Sequence, residues 1–173
     1  MGLLPIRLYP EEVLRQECRP VEAFDDDLTK LIGDMVETMY AAPGVGLAAP
    51  QIGLDLQLAV VDVTVGEEED ALLVLINPEI VEDRGEDTDV EGCLSIPDFT
   101  EKVKRPTWVR IHADDVEGEP IELEAEGFVA RAICHEIDHL NGILFVDRLR
   151  GLRRDRARRH LRRLERQTVE AAV

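Results

Sequence analysis

The residues of this 173-residue chain whose types and spacing could do chemistry gather first in His135-Glu136-Ile137-Asp138-His139. On a helix, positions four apart differ by about 40° in direction and about 6 Å along the axis, so both imidazoles can reach one cation. Glu136 then stands beside the first ligand, placed to act on a water rather than on the metal. The competing reading is two helix-face histidines and an ordinary surface glutamate. Phe128, Ala132 and Ile133 make the preceding residues apolar enough to be buried, and a buried imidazole pair requires a polar partner.

Two histidines leave a catalytic tetrahedral site one protein ligand short. A metzincin protease would place the third six residues after His139, where this chain has Phe145. A thermolysin-type protease would use a following glutamate, and only Glu165 and Glu170 are available, both in an arginine-rich segment. The remaining candidate is Cys93 in Glu91-Gly92-Cys93-Leu94-Ser95, where Gly92 lets the backbone approach closely and a thiolate can sit beside a cation. Its alternative is a small buried hydrophobe. Cys134 should point about 100° away from His135, and Cys18 lies in a polar stretch where it reads as incidental. Three cysteines are an odd number, which argues for reduced thiols rather than a disulfide framework.

The elements that must position these groups follow from periodicity. Residues 25–41 read as a helix that Asp25, Asp26 or Asp27 can cap, with Leu28, Leu31, Ile32, Met35 and Met39 at helical spacing, ending at Pro43-Gly44. Residues 56–63 and 71–76 read as strands separated by the acidic turn 66–70, and residues 107–112 and 121–125 as two more, with the glutamates of the last on its solvent side. From Phe128 the pattern is helical to Leu140, stopped by Asn141-Gly142. A basic helix is predicted over about 152–167, with Ala157, Leu161 and Leu164 on one face. These elements predict an α+β fold: short antiparallel sheets packed around a central metal-binding helix, with a C-terminal helix, in a single domain over residues 1–173.

Hydrophobic residues make up 45% of the chain but aromatics only 4%, so the core must be aliphatic. No apolar run is long enough for a membrane span and the start has no signal-like leader, so a cytoplasmic protein without membrane association is expected. The formal charge of −17 is uneven. Residues 148–173 hold 10 arginines against 3 acidic residues, a net of +7, which leaves −24 on the body. Charge bears on solubility and partners rather than on fold.

A third motif, Gly44-Val45-Gly46-Leu47-Ala48-Ala49-Pro50-Gln51, reads by itself as a tight turn between helix and strand, and it lacks the ending of a phosphate loop. Taken together, residues 44–51, 91–95 and 135–142 occur in the order and at the approximate separations of the three signature motifs of peptide deformylases. The chain resembles that family over nearly its whole length, from Leu8-Tyr9-Pro10 to the C-terminal helix.

The resemblance implies a metal-dependent hydrolase that removes the formyl group from N-formylmethionyl nascent peptides. It implies that Cys93, His135 and His139 hold one divalent metal ion, Fe2+ in the cell, with Zn2+, Ni2+ or Co2+ able to occupy the site in preparations. Glu136 would take a proton from the attacking water and deliver it to the departing amine. Gln51 and the backbone N–H of Leu94 would donate to the formyl oxygen, and Val45 and Gly46 would bond the substrate backbone as an added strand. Phe128 and Ala132 are candidates for the methionine pocket. Cys134 stands where many members have Gln, and Pro97-Asp98 replaces a frequent Pro-Gly, which leaves the shape of a loop near residues 97–105 open.

Family precedent gives the basic C-terminal helix a docking role on the ribosome, against the alternative of a solvated amphipathic helix; DNA is not an expected partner. Three other readings of the site remain distinct. A zinc endopeptidase would cleave internal bonds of unformylated peptides. A closed structural metal site would have a fourth protein ligand and be indifferent to Glu136→Gln. A cysteine hydrolase using Cys93 would survive chelation.

Overall fold

Asp25 caps the first helix, its carboxylate accepting from Leu28 N–H at 3.0 Å, and α1 runs Asp26–Ala41. The computed structural model describes residues 2–173; Met1, which the expected domain includes, lies outside the described residues. Strands β1 (Gly46–Ala48), β2 (Leu58–Val61), β3 (Leu73–Arg84), β6 (Trp108–Asp114) and β7 (Pro120–Glu126) form one antiparallel sheet in the order β1-β2-β3-β6-β7. Strands β4 (Asp87–Cys93) and β5 (Ile96–Arg105) pair as a separate two-stranded hairpin. Helices α2 (Gly127–Leu140) and α3 (Gly151–Ala171) follow.

The four residues of β2 alternate between two cores, as a period of two requires. Ala59 and Val61 face α2, packing with Ile133, Ile137 and Leu140. Leu58 and Val60 face α1, packing with Ile32, Met35 and Met39. The five-stranded sheet is thus covered by a helix on each face near β1 and β2. A third cluster joins the hairpin to the C-terminal region through Ile96, Val103, Phe145, Leu149 and Ala157.

The end of α2 is fixed by a turn in which Gly142 N–H donates to His139 C=O at 3.2 Å and Ile143 N–H to Asp138 C=O at 2.9 Å. Gly142 has φ 73°, and a Cβ there would stand 2.6 Å from the carbonyl oxygen of Arg15, so a side chain fits neither the backbone nor the space.

The α+β class, the central helix and the acidic, solvent-facing alternation of β7 match expectation. Two strands do not. The stretch read as a loop near residues 97–105 is β5, and the unassigned residues 87–93 are its partner β4. Asp87-Thr88-Asp89-Val90-Glu91 carries one aliphatic side chain, and that one is exposed, so the strand is set by pairing rather than by apolar alternation. Cys18, read as incidental to the metal site, stands outside the ligand group and is buried in the α2 core, its N–H bonded to Leu140 C=O at 2.9 Å.

Candidate metal centre

Helix α2 presents two adjoining stripes. Ala132, Glu136 and His139 lie on one, and Arg131, His135 and Asp138 on the next, each at the three- and four-residue spacings of a helix face. Cys93, the last residue of β4, meets both histidines. One ligand atom from each of Cys93, His135 and His139 lies within 4.8 Å of the others, and Cys93 Sγ is 3.3 Å from His139 Nε2. Tetrahedral bonds of about 2.0–2.3 Å separate neighbouring ligand atoms by about 3.5 Å, so this donor set fits one cation. Among the described residues the group has three members, the number that leaves a position open for chemistry. Cys134 is adjacent in sequence but sits in the core, where burial pushes its thiol up to about 11.

The second nitrogen of His135 is held by Glu91: Nδ1 lies 2.9 Å from Glu91 Oε1, which turns Nε2 toward the metal position. Arg105 grips the same carboxylate with two bonds of 2.9 Å, and Arg131 adds one of 2.8 Å. Arg105 also reaches Asp138 at 2.6 Å, and Arg148 pairs with Asp138 from the other side. Burial by itself would raise the Glu91 carboxyl, but the hydrogen bonds from Arg105 and His135 override it and hold it at about 2. Burial would likewise lower His135, yet the hydrogen bonds to Cys93 and Glu91 override it and raise the ring well above the usual imidazole range. Burial holds His139 well below that range, as the neutral imidazole that ligates metals.

Glu136 is buried, and its Oε2 has no hydrogen-bond partner among the described residues. Desolvation pushes its carboxyl up to about 7, with His135 opposing. Its side chain lies against Gly46, where a Cβ would stand 2.8 Å from Cδ and 2.9 Å from Cγ. Gln51 is also buried. Its Oε1 accepts from Ala48 N–H at 3.0 Å, which turns Nε2 toward Ser95 Oγ (3.2 Å) and Cys93 Sγ (3.6 Å).

Cys93, His135, Glu136, Gln51 and Gly46 line a cleft of about 590 Å³, whose wall includes Val45, Leu94, Phe128 and Ala132. Val45 and Gly46 differ in what they can offer a peptide. Val45 C=O accepts from Asp62 N–H at 2.8 Å, toward β2. Gly46 lies opposite Val61, and bonded and non-bonded pairs alternate in an antiparallel ladder, so Gly46 turns its N–H and C=O to the outer edge of the sheet. Both residues line the cleft, Val45 with its C=O committed to the sheet and Gly46 with its backbone groups at the open edge.

Sequence reasoning missed the anchoring network of Glu91, Arg105, Arg131 and Asp138, together with Ser95. Two signals were available. Glu91 is two residues before Cys93 on a strand, the spacing of one face. Arg131 and Asp138 share a stripe with His135 on a helix whose other residues are largely apolar, where a charged group must find a partner.

Known proteins resemble the chain over most of its length. Residues 3–155 match the family model described as polypeptide deformylase. The chain is 55% identical over 149 residues to peptide deformylase 1 of Clostridium acetobutylicum, covering 86% of this chain and 96% of that one. It is 46% identical over 166 residues to the peptide deformylase of Acidobacterium capsulatum, covering 96% and 98%. The crystal structure of a peptide deformylase from Legionella pneumophila superposes with a TM-score of 0.87 at 46% identity, covering 97% and 98% of the two chains. With the family model spanning most of its length and relatives of this similarity, the chain belongs to the polypeptide deformylase family.

Proposed function

We propose that the cleft binds the N-formylmethionyl end of a nascent peptide and that Glu136, Gln51 and the N–H of Leu94 carry out its hydrolysis beside a cation held by Cys93, His135 and His139. As a member of its family the chain is a metal-dependent hydrolase that removes N-terminal formyl groups from newly made polypeptides, giving formate and a free amine. The observation that carries the division of roles is the convergence of the three ligand atoms beside a buried carboxylate with an unpartnered oxygen.

The ion assigned to the site is Fe2+ in the cell, with Zn2+, Ni2+ or Co2+ as substitutes in preparations. When bound, it supplies Lewis acidity toward the formyl oxygen and makes water nucleophilic near neutral pH. Glu136 takes the proton of the attacking water and returns it to the departing amine nitrogen, a task suited to a carboxyl poised near neutrality. Gln51 Nε2 and Leu94 N–H donate to the formyl oxygen as negative charge develops there. Val45 and Gly46 pair with the peptide backbone as an added strand, and Phe128 and Ala132 border the methionine side chain. Selection of formyl over larger acyl groups is assigned to enclosure of the carbonyl site by the Gly-rich run at Gly46 and by Gln51.

In this reading residues 1–173 act as one catalytic domain in the cytoplasm. No helix among the described residues is long and apolar enough to cross a membrane. The arginines of α3 are assigned to ribosomal RNA phosphates; unchanged ribosome co-sedimentation at low salt after removal of residues 152–173 would sink that assignment.

Formate release from a formyl-Met tripeptide tests the whole scheme, using enzyme purified without oxygen and loaded with Fe2+ or Ni2+. Turnover should vanish in Glu136→Gln while metal content is retained. Activity that survives in Glu136→Gln would remove Glu136 from its role, and turnover that resists chelation would favour a cysteine hydrolase.

A further inference from the structure

Between β4 and β5 the register breaks. Gly92 lies opposite Thr100, whereas Cys93 lies opposite Ile96. Residues 97–99 are therefore extra on β5 and bulge out beside the thiol, in the way that bulges re-aim side chains next to active sites. The bulge is pinned on both sides of its middle residue. Pro97 C=O accepts from His160 Nε2–H at 2.8 Å, and the Phe99 ring stacks on His160 at 5.1 Å and on Phe145 at 6.2 Å.

Asp98, between these two anchors, has φ 62°, a backbone region that Gly, Asn and Asp enter more readily than other residues. It is exposed and lines the cleft. The α3 arginines that approach this strand, Arg153 and Arg156, pair with Glu101 instead. The other charged groups of the cleft are committed elsewhere: Glu91 and Arg131 are buried against each other, and Glu136 faces the reacting centre. Much of the remaining wall is apolar, including Pro43, Val45, Leu94 and Phe128. Among the described residues that line the cleft, a peptide leaving the metal centre thus meets one free charge, and it is negative.

We infer that Asp98 is a specificity-determining residue, whose carboxylate favours peptides with Lys or Arg within the two residues after formyl-methionine and disfavours acidic side chains there. This rests on the reading of the cleft as the formyl-peptide site.

The test is kcat/KM of the metal-loaded enzyme for formyl-Met-Lys-Ala and formyl-Met-Ala-Lys against their Glu counterparts, in the unaltered chain, Asp98→Asn and Asp98→Gly. Both replacements tolerate the left-handed backbone, so a change reports charge rather than loop shape. In at least one of the two positions Lys should exceed Glu by about fivefold, the scale of an exposed charge pair. That ratio should fall toward one in both variants, and also near 1 M salt, where screening acts within about 3 Å. Equal ratios in the unaltered chain would overturn the assignment, and so would a Lys preference that persists undiminished in both variants, which would trace it to the acidic body as a whole. Absence of turnover with every formyl peptide would sink the cleft reading together with this inference.

Discussion

The side chain of Glu136 rests directly on Cα of Gly46, so that a methyl group on residue 46 would stand 2.8 Å from the carboxylate carbon. Gly46 also carries the outward-facing N–H and C=O of the sheet edge. Gly46→Ala should therefore displace the general base without disturbing the core. A misplacement of about 1 Å can lower the rate about 100-fold, and a drop in kcat/KM of that order is expected. Metal content and the unfolding midpoint should stay close to those of the unaltered chain, and a variant of full activity would remove the contact from the mechanism.

Glu91 orients His135 and neutralises Arg105 and Arg131, so Glu91→Gln should act on both metal affinity and stability. Loss of a partner that orients a metal ligand weakens binding by about 10- to 100-fold. Breaking a buried ion-pair network destabilises by about 3–5 kcal/mol. Competition with a chelator and urea unfolding measure the two effects separately.

The same carboxyl sets an acid limit. Its folded value of about 2 lies below the ordinary 4.5, so its contribution is fully present above 4.5 and is lost as pH falls toward 2. The metal-free protein should lose stability steeply over that window, and Glu91→Gln should flatten the slope there.

Much of the site was legible because its members belong to short patterns with a mechanical meaning. His135 and His139 are one helical turn apart, and Gly142 is the only kind of residue that fits where α2 must stop against Arg15. The residues that hold the ligands were less legible because their partners are remote. Arg105 is 33 positions from Asp138, and Glu91 is 44 from His135. Their signal was a charge on an otherwise apolar stripe, which says that a partner exists but not which one. Strand β4 escaped for a related reason: its polar residues become a strand by pairing with β5, a property of two segments together.

The three thiols should differ sharply in reactivity. Cys18 and Cys134 are buried, and burial pushes each up to about 11, so at pH 8 a fraction of about one in a thousand is thiolate. Cys93 lines the open cleft. Titration of the metal-free native protein with a chromogenic disulfide should show one fast thiol and two that react only on unfolding, and metal loading should protect the fast one. Two fast thiols would contradict the buried placement of Cys18 or Cys134.

The bulge beside Cys93 depends on α3 through one ring. His160 accepts from Arg163 at Nδ1 (2.7 Å), which leaves Nε2 to donate to Pro97 C=O, while its face covers Phe99. His160→Ala removes the donor and the stacking surface together, leaving the half-buried Pro97 carbonyl without its protein partner at a cost of about 1 kcal/mol. The loss should be local: amides of residues 98–100 should exchange faster with solvent, while those of α1 and β2 keep their protection. Because these residues form the cleft rim, KM for formyl peptides should rise more than kcat falls. His160→Gln, which keeps a donor but not the ring, should recover part of the protection. Uniform loss of protection across the sheet would instead make His160 a general core residue rather than the brace of the rim.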